Sequence, residues 1–489
     1  MQLRPSLRPT VLALAATAFV AACGGGDDAA APEETRPHDT RTFTAANPTA
    51  TTFNAMAAAP GDVVDVTTTS RWAGVLNGAG YHVEVPAAWN GKLVMYAHGY
   101  AGNGATVAVQ DPAIRRYFIQ NGYAWAASSY AKTYYDVRAG VEDTNALALE
   151  FNNIAAKNSR TLPAPTKYFI TGVSMGGHIT AAAIEDEAAA TAIHKVKYSG
   201  AVPMCGVLGD TELFNQFAAM QVTAQALAGL PAYPADKFAD INALVTSTLF
   251  SKFTQTPSFP APSIIATPAG VKYLSVLQNL TGGPRPLFDL GVAFGQSFPS
   301  AYGTFGSDGT VTGILNKAVL DTSGFTYTIT GDAAGSTALN ASVQKLTAAT
   351  DANRLRTDGL RWIPKANGEF KIPVVSIHTL GDLFVPFSME QVYQKRVAAK
   401  GNSAFLVQRA IRGISHCDFT TVEMTTAFDD MVKWEAGGAK PAGDDVVTAA
   451  TVAAPTYGCT FTKNTPGPDD SAGTVGLRQI IAASTAPCP

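Results

Sequence analysis

The residues with the clearest chemical potential form the run Gly172-Val173-Ser174-Met175-Gly176-Gly177, the one Gly-x-Ser-x-Gly pattern in the chain. A serine hydroxyl becomes a useful nucleophile when a base takes its proton and an acid orients that base. Glycines on both sides suit a turn so tight that side chains would collide across it. Read blandly, the same run is the start of an Ala/Gly-rich helix. After Ser174 the chain offers four histidines as base: His178, His194, His378 and His416. His178 falls one turn into the helix that follows the serine and should point away from it. His194 precedes a strand-like run, and His378 lies on a strand before any acid in its loop. His416 stands in the loop Gly413-Ile414-Ser415-His416-Cys417-Asp418. Candidate acids are Asp382, in Gly381-Asp382-Leu383-Phe384-Val385-Pro386, and Asp418, two residues from His416. An anion developing on a substrate carbonyl needs N–H donors. The residue after the serine, Met175, is one source, and the run His98-Gly99-Tyr100-Ala101-Gly102 is a loop that could supply another, with His98 bracing it.

These residues need elements to position them. Leu93–Ala97, Tyr123–Ser129, Tyr168–Val173, Tyr198–Pro203, Ile372–His378 and Phe405–Ile411 read as short apolar strands. Between them, Pro112–Gln120 (with Asp111 as N-cap), Val137–Ala155, Ser174–Ala183 and Met424–Trp434 have helical spacing. The alternation predicts a parallel, doubly wound sheet. From about Gly206 to Lys371 it breaks into helical stretches, Pro-rich loops and many aromatics. That span is too long for a loop and reads as an insertion. Its Phe214, Phe217, Phe250, Phe253, Phe259, Phe288 and Phe294 are expected mainly as its core.

With the motif between a predicted strand and a predicted helix, the chain resembles the α/β-hydrolase superfamily, specifically its serine esterases, over about Tyr81–Cys205 and Ile372–Trp434. The resemblance implies a mostly parallel eight-stranded sheet with helices on both faces and a large, mainly helical cap after the sixth strand. It also implies the chain order serine, acid, histidine, which selects Ser174, Asp382 and His416 as catalytic residues, with Met175 and Tyr100 forming the oxyanion hole. His416-Cys417 is similar to the His-Cys pair of tannase and feruloyl esterase relatives, whose partner cysteine directly precedes the nucleophile. Here Val173 stands there, so Cys205 is the residue that could brace the loop.

The rest of the chain bounds the context. Arg4 and Arg8 precede an apolar run from Val11 to Ala22, too short to span a bilayer and typical of an export signal. It ends in Val20-Ala21-Ala22-Cys23, which looks like a bacterial lipobox, so Cys23 is expected to carry lipid and tether the protein to a membrane face. Loss of the two arginines would take the formal charge from −3 to −5. Four cysteines remain, Cys205, Cys417, Cys459 and Cys488. An even number in an exported chain permits two disulfides in three pairings, or free thiols. Cys459 and Cys488 share an irregular tail, which suits a local bridge and leaves Cys205 with Cys417.

The expected organisation is a signal peptide at 1–22, a flexible tether at 23–60, a hydrolase core at 61–205 and 372–440 interrupted by a cap at 206–371, and a disulfide-pinned tail at 441–489. Of the 489 residues only 15% are charged and the balance is near neutral, so nothing favours a nucleic-acid partner. No cofactor or metal motif is found; Gly102-Asn103-Gly104 reads as a loop. The expected function is hydrolysis of a small or polymeric ester, with a same-fold peptidase, a polyester depolymerase or a non-enzymatic binding scaffold as the competing readings.

Overall fold

A computed structural model describes residues 42–47, 52–305 and 314–488. The expected signal peptide and Cys23 lie outside the described residues. The main sheet has eight strands: β1 Ser70–Leu76, β2 Ala79–Val85, β3 Lys92–Ala97, β4 Ala124–Ser128, β5 Lys167–Val173, β6 Gly200–Met204, β7 Val374–Thr379 and β8 Leu406–Ile411. They pair in the order β1-β2-β4-β3-β5-β6-β7-β8. β1, β2 and β4 pair antiparallel and every later pair is parallel.

The antiparallel edge was not among the expected strands, although a local signal for it exists. Asn77 and Gly78 join β1 to β2 with φ of 51° and 87°. Two successive left-handed residues match the twist of a two-residue hairpin, and Asn-Gly adopts them at low cost.

Period-two alternation explains why both sheet faces are covered. Along β3, Leu93, Met95 and Ala97 join one apolar cluster, while Val94 and Tyr96 join another. The helices used below are α1 Arg115–Gln120, α2 Val137–Lys157, α3 Met175–Ala183, α4 Thr211–Leu227, α5 Phe238–Leu249, α6 Pro268–Leu280, α7 Phe288–Phe294, α8 Ser297–Ala301, α9 Ala333–Ser342, α10 Ser388–Ala399, α11 Thr421–Glu435 and α12 Ala472–Ser484. Helices α2 and α3 pack on the first cluster, and α1 and α11 on the second. Helices α4 to α9 all fall between β6 and β7, with a two-stranded piece, Phe250–Phe253 and Ile264–Ala266. Phe214, Phe217, Phe250 and Phe288 are buried in that insertion's contribution to the first cluster.

Three local expectations change. Asp111 does not cap α1, which begins at Arg115 without a side-chain cap; its carboxylate instead meets His82 at 2.7 Å and Arg115 at 3.2 Å. The stretch expected as a flexible tether packs on the body where it is described: Phe53 stacks on His82 with centroids 4.1 Å apart, and Thr44–Ala45 pairs with Thr106–Val107. Finally, the tail is not irregular throughout, because Ser471 caps α12 by accepting from the Thr474 N–H. Among the described residues no helix is long and apolar enough to cross a membrane.

Phe428 of α11 is fully buried, and its ring meets Phe118 at 5.1 Å, Tyr123 at 5.6 Å and Phe169 at 6.0 Å. Phe428→Ala should cost about 3–5 kcal/mol, read as a lowered urea midpoint with an unchanged m-value.

Candidate active site

Ser174 sits between the last residue of β5 and the first of α3 with φ 59° and ψ −122°, a strained backbone for a non-glycine residue. The turn is held by the Ser174 N–H donating to Met204 O at 3.0 Å and the His178 N–H donating to Ser174 O at 3.2 Å. Its glycines are required by close approach. A Cβ on Gly172 would lie 2.6 Å from Ala97 O, and one on Gly176 would overlap the Ala97 carbonyl. Gly177, outside the Gly-x-Ser-x-Gly pattern, meets the chain leaving β6: its Cβ would lie 2.6 Å from Gly206 Cα.

The turn aims the hydroxyl at His416, whose Nε2 is 2.7 Å from Ser174 Oγ. The other ring nitrogen, Nδ1, is 2.6 Å from Asp382 Oδ2. Asp382 is fully buried, and its Oδ1 accepts from the N–H groups of Phe384 at 2.9 Å and Val385 at 3.0 Å. A carboxylate so fixed orients the imidazole with Nδ1 protonated and Nε2 facing the hydroxyl. The three side chains come from turns at the ends of β5, β7 and β8.

His178, His194 and His98 are engaged elsewhere. His178 is buried between Tyr135 Oη at 3.0 Å and Pro364 O at 2.7 Å, and burial holds its pKa down. His194 meets Glu142 at 3.1 Å. His98 donates from Nδ1 to Gly99 O at 2.6 Å and stacks on Tyr130 at 4.1 Å, and burial lowers its pKa. Asp418 accepts from the Ile414 N–H at 3.2 Å and so ties the His416 loop to itself. Gly99 lies against Ser174: a Cβ there would be 3.2 Å from Ser174 Cβ. Tyr100 follows it on the wall of the site. Met175 opens α3, so its N–H is among the first-turn donors that have no partner within the helix.

Cys205 and Cys417 form a disulfide, and both have positive φ (43° and 55°). The bridge joins the chain leaving β6 to the residue after His416, and Cys417 Sγ lies 3.4 Å from His416 Nε2. Cys459 and Cys488 form the second disulfide. The two sulfurs and the imidazole place three metal-type donors within 4.8 Å of one another, but sulfurs bonded to each other are not thiolate ligands.

A hollow of about 460 Å³ opens over Ser174 and His416. Gly99, Tyr100 and Gln110 wall one side, and Gln296, Ser297 and Ser300 of the insertion wall another. Phe384 forms part of the lining, its ring 5.5 Å from that of His416 and 5.9 Å from Phe217 of α4. None of the seven insertion phenylalanines singled out in the sequence lines this hollow; Phe259 and Phe294 line its neighbour.

Two further residues pack around Asp382, and neither carries a sequence motif. Arg285, buried in the insertion, donates from Nε to Leu380 O at 2.7 Å, and burial lowers its pKa to about 10 against the opposing pull of Asp382. His378 lies behind Asp382, its Nε2 donating to Val385 O at 2.7 Å and lying 3.9 Å from Asp382 Oδ2. Its Nδ1 is 3.4 Å from Glu390. Burial pulls the His378 pKa down, but the hydrogen bond and charge of Glu390, with Asp382, outweigh it and raise the pKa above the ordinary 6.5.

The eight-stranded, mostly parallel sheet, the insertion after its sixth strand and the serine on the strand-to-helix turn after its fifth define an α/β-hydrolase fold. No family model matches the chain. It is similar to the curated o-phthalyl amidase of Xanthobacter agilis, 27% identical over 66 residues, a match spanning 14% of this chain and only 15% of that protein. Among solved structures it is similar to feruloyl esterase B from Aspergillus oryzae (16% identity, 77% of this chain and 82% of that one, TM-score 0.41). Another is Thermogutta terrifontis esterase 2 (12% identity, 76% and 96%, TM-score 0.34). A third is the acylaminoacyl peptidase of Pyrococcus horikoshii (9% identity, 71% and 37%, TM-score 0.33).

The His378 arrangement has a pH signature. A histidine whose pKa is raised on folding adds stability that is complete below its unfolded pKa and is lost as pH rises through the folded value. The Tm advantage of the native protein over His378→Asn should therefore be largest near pH 5 and shrink towards pH 9. An advantage that grows with pH contradicts the assignment.

Proposed function

We propose that this protein is a serine hydrolase of carboxylic esters acting through an acyl-enzyme. One observation carries the reading: the unbroken hydrogen-bonded series Ser174 Oγ, His416 Nε2 and Nδ1, Asp382 Oδ2, opening into a hollow. In this mechanism Ser174 Oγ attacks the ester carbonyl while His416 Nε2 takes its proton. Asp382 holds the imidazole and stabilises the imidazolium. The N–H groups of Met175 and Tyr100 donate to the tetrahedral oxyanion, aided by the positive end of α3. His416 then protonates the departing alcohol, and a water activated by the same imidazole releases the acid.

The two disulfides suit an oxidising compartment. With the lipobox-like sequence ending in Cys23, they support an exported lipoprotein held at a membrane face. The protein's domains follow the same reading: a core at 61–205 and 372–440, a cap at 206–371 governing access, and a tail at 441–489.

A fluorophosphonate should label the wild type at Ser174 and leave Ser174→Ala unlabelled. Ser174→Ala should also lower ester turnover by about 10⁴-fold or more. Labelling that persists in the variant refutes the nucleophile assignment. The amide reading is tested alongside: turnover of aminoacyl-nitroanilides without p-nitrophenyl esters would make the protein a peptidase. In a bacterial host, radiolabelled palmitate should be incorporated by the full chain and not by Cys23→Ala; equal incorporation refutes the anchor.

A further inference from the structure

A second hollow, of about 650 Å³, adjoins the catalytic one, and the two share Gln296 and Ser415 as lining residues. One wall is the loop carrying Pro257 and Phe259, with Phe259 half exposed and its ring 5.5 Å from that of Phe294. The opposite wall is α12. Residues 472, 473, 476, 477, 479, 480 and 483 recur at helical spacing, so one broad face of the helix, apolar but for Gln479, lines the hollow.

Two features of this face are not explained by packing. Gly473 and Gly476 lie inside a helix, where glycine costs up to about 1 kcal/mol relative to alanine. Neither has positive φ. A Cβ on Gly476 would meet nothing within 4 Å, and one on Gly473 would meet only Ser471 Oγ at 3.5 Å. Backbone conformation and close approach therefore do not require them, and a side chain at Gly476 would occupy open space on the face that lines the hollow.

The wall is also firmly tied to the chemistry. Arg478, on the far side of α12, donates to Arg412 O at 2.9 Å and Asp418 O at 2.7 Å, and meets Glu423 at 2.9 Å. These contacts bracket the His416 loop on both sides. At the junction Ser415 precedes His416, and Ser415 Oγ donates to Gly295 O at 2.7 Å. Gln296, at the same junction, has φ 60°.

Charge and direction restrict the occupant. Neither hollow has Asp, Glu, Lys or Arg among its lining residues, so the space favours a neutral ligand. The second hollow opens at the residue beside His416. His416 is the group that must protonate the leaving oxygen, so the alcohol half of an ester extends to its side.

We propose that the hollow between α12 and Pro257–Phe259 is the subsite for the alcohol half of a neutral ester, taking an extended, largely apolar segment. The proposal rests on the ester-hydrolase reading above and adds its substrate class and orientation.

Two isomeric esters test it. Octyl acetate and ethyl octanoate have the same composition and nearly the same hydrophobicity, but their long chains lie on opposite sides of the scissile bond. The quantity read is the ratio of kcat/KM for octyl acetate to that for ethyl octanoate. Gly476→Trp, which grows into open space, should lower the ratio about tenfold or more, since each buried methylene contributes severalfold to binding. Phe259→Ala, at a half-exposed position on the facing wall, should lower it by about threefold or more. A ratio that rises in Gly476→Trp assigns the hollow to the acyl half and overturns the proposal, as does a ratio unchanged in both variants. Fluorophosphonate labelling of wild-type Ser174 keeps the two readings separate. An unlabelled wild type defeats the ester-hydrolase reading, whereas a labelled, active wild type with an unmoved ratio defeats the subsite alone.

Discussion

The structure depends on one constraint: a serine must project from a turn too tight for its own backbone to be relaxed. Ser174 holds φ 59° because β5 runs directly into α3 there. Holding a non-glycine residue in such a conformation costs of order 1–3 kcal/mol, which the surroundings must offset. They do so by close backbone contact. The Ser174 N–H donates to Met204 O, and glycines at 99, 172, 176 and 177 let β3, β5, α3 and the chain after β6 meet without intervening side chains. The turn is therefore the meeting point of β3, β5, α3 and the chain leaving β6.

The partners of Ser174 are fixed by a different means. Asp382 and His416 stand on loops after β7 and β8, and loops do not hold geometry unaided. Gly381 brings the two loops together: its N–H donates to Gly413 O at 2.9 Å, and a Cβ there would lie 2.6 Å from Ile414 Cα. The Cys205–Cys417 bridge ties the His416 loop back to β6, and Arg285 reaches from the insertion to Leu380, near Asp382. On the outer side α12, itself close to the Cys459–Cys488 bridge, holds the same loop through Arg478. The C-terminal segment thus serves as a buttress for the site.

Much of this was legible in the sequence because it is local. The strand before Ser174, the helix after it and the flanking glycines are written in adjacent residues. Asp382 and His416 were legible through the chain order that the resemblance supplied. The β1–β2 hairpin is equally local, since Asn77-Gly78 between two apolar-rich runs is itself a turn signal. Asp111 was misread because an acid before a proline resembles a cap, while its actual partners, His82 and Arg115, belong to other contacts of the fold. His378 and Arg285 had no signal, since their roles depend on what lies behind Asp382.

The strained serine turn, the alternation of strands and helices and the supply of cysteines are set locally along the chain. Backbone sterics and periodicity act over a few residues, so composition and spacing are sufficient to specify them. Tertiary structure alone decided which groups meet. Ser174 and His416 are 242 positions apart, and Cys205 and Cys417 are 212 apart. Contacts at such separations depend on the order of strands and the packing of loops between them. The adjoining hollow is the clearest case, because it is bounded by Pro257–Phe259, Gln296, Ser415 and α12, segments that share no pattern and become one surface only when the chain is folded.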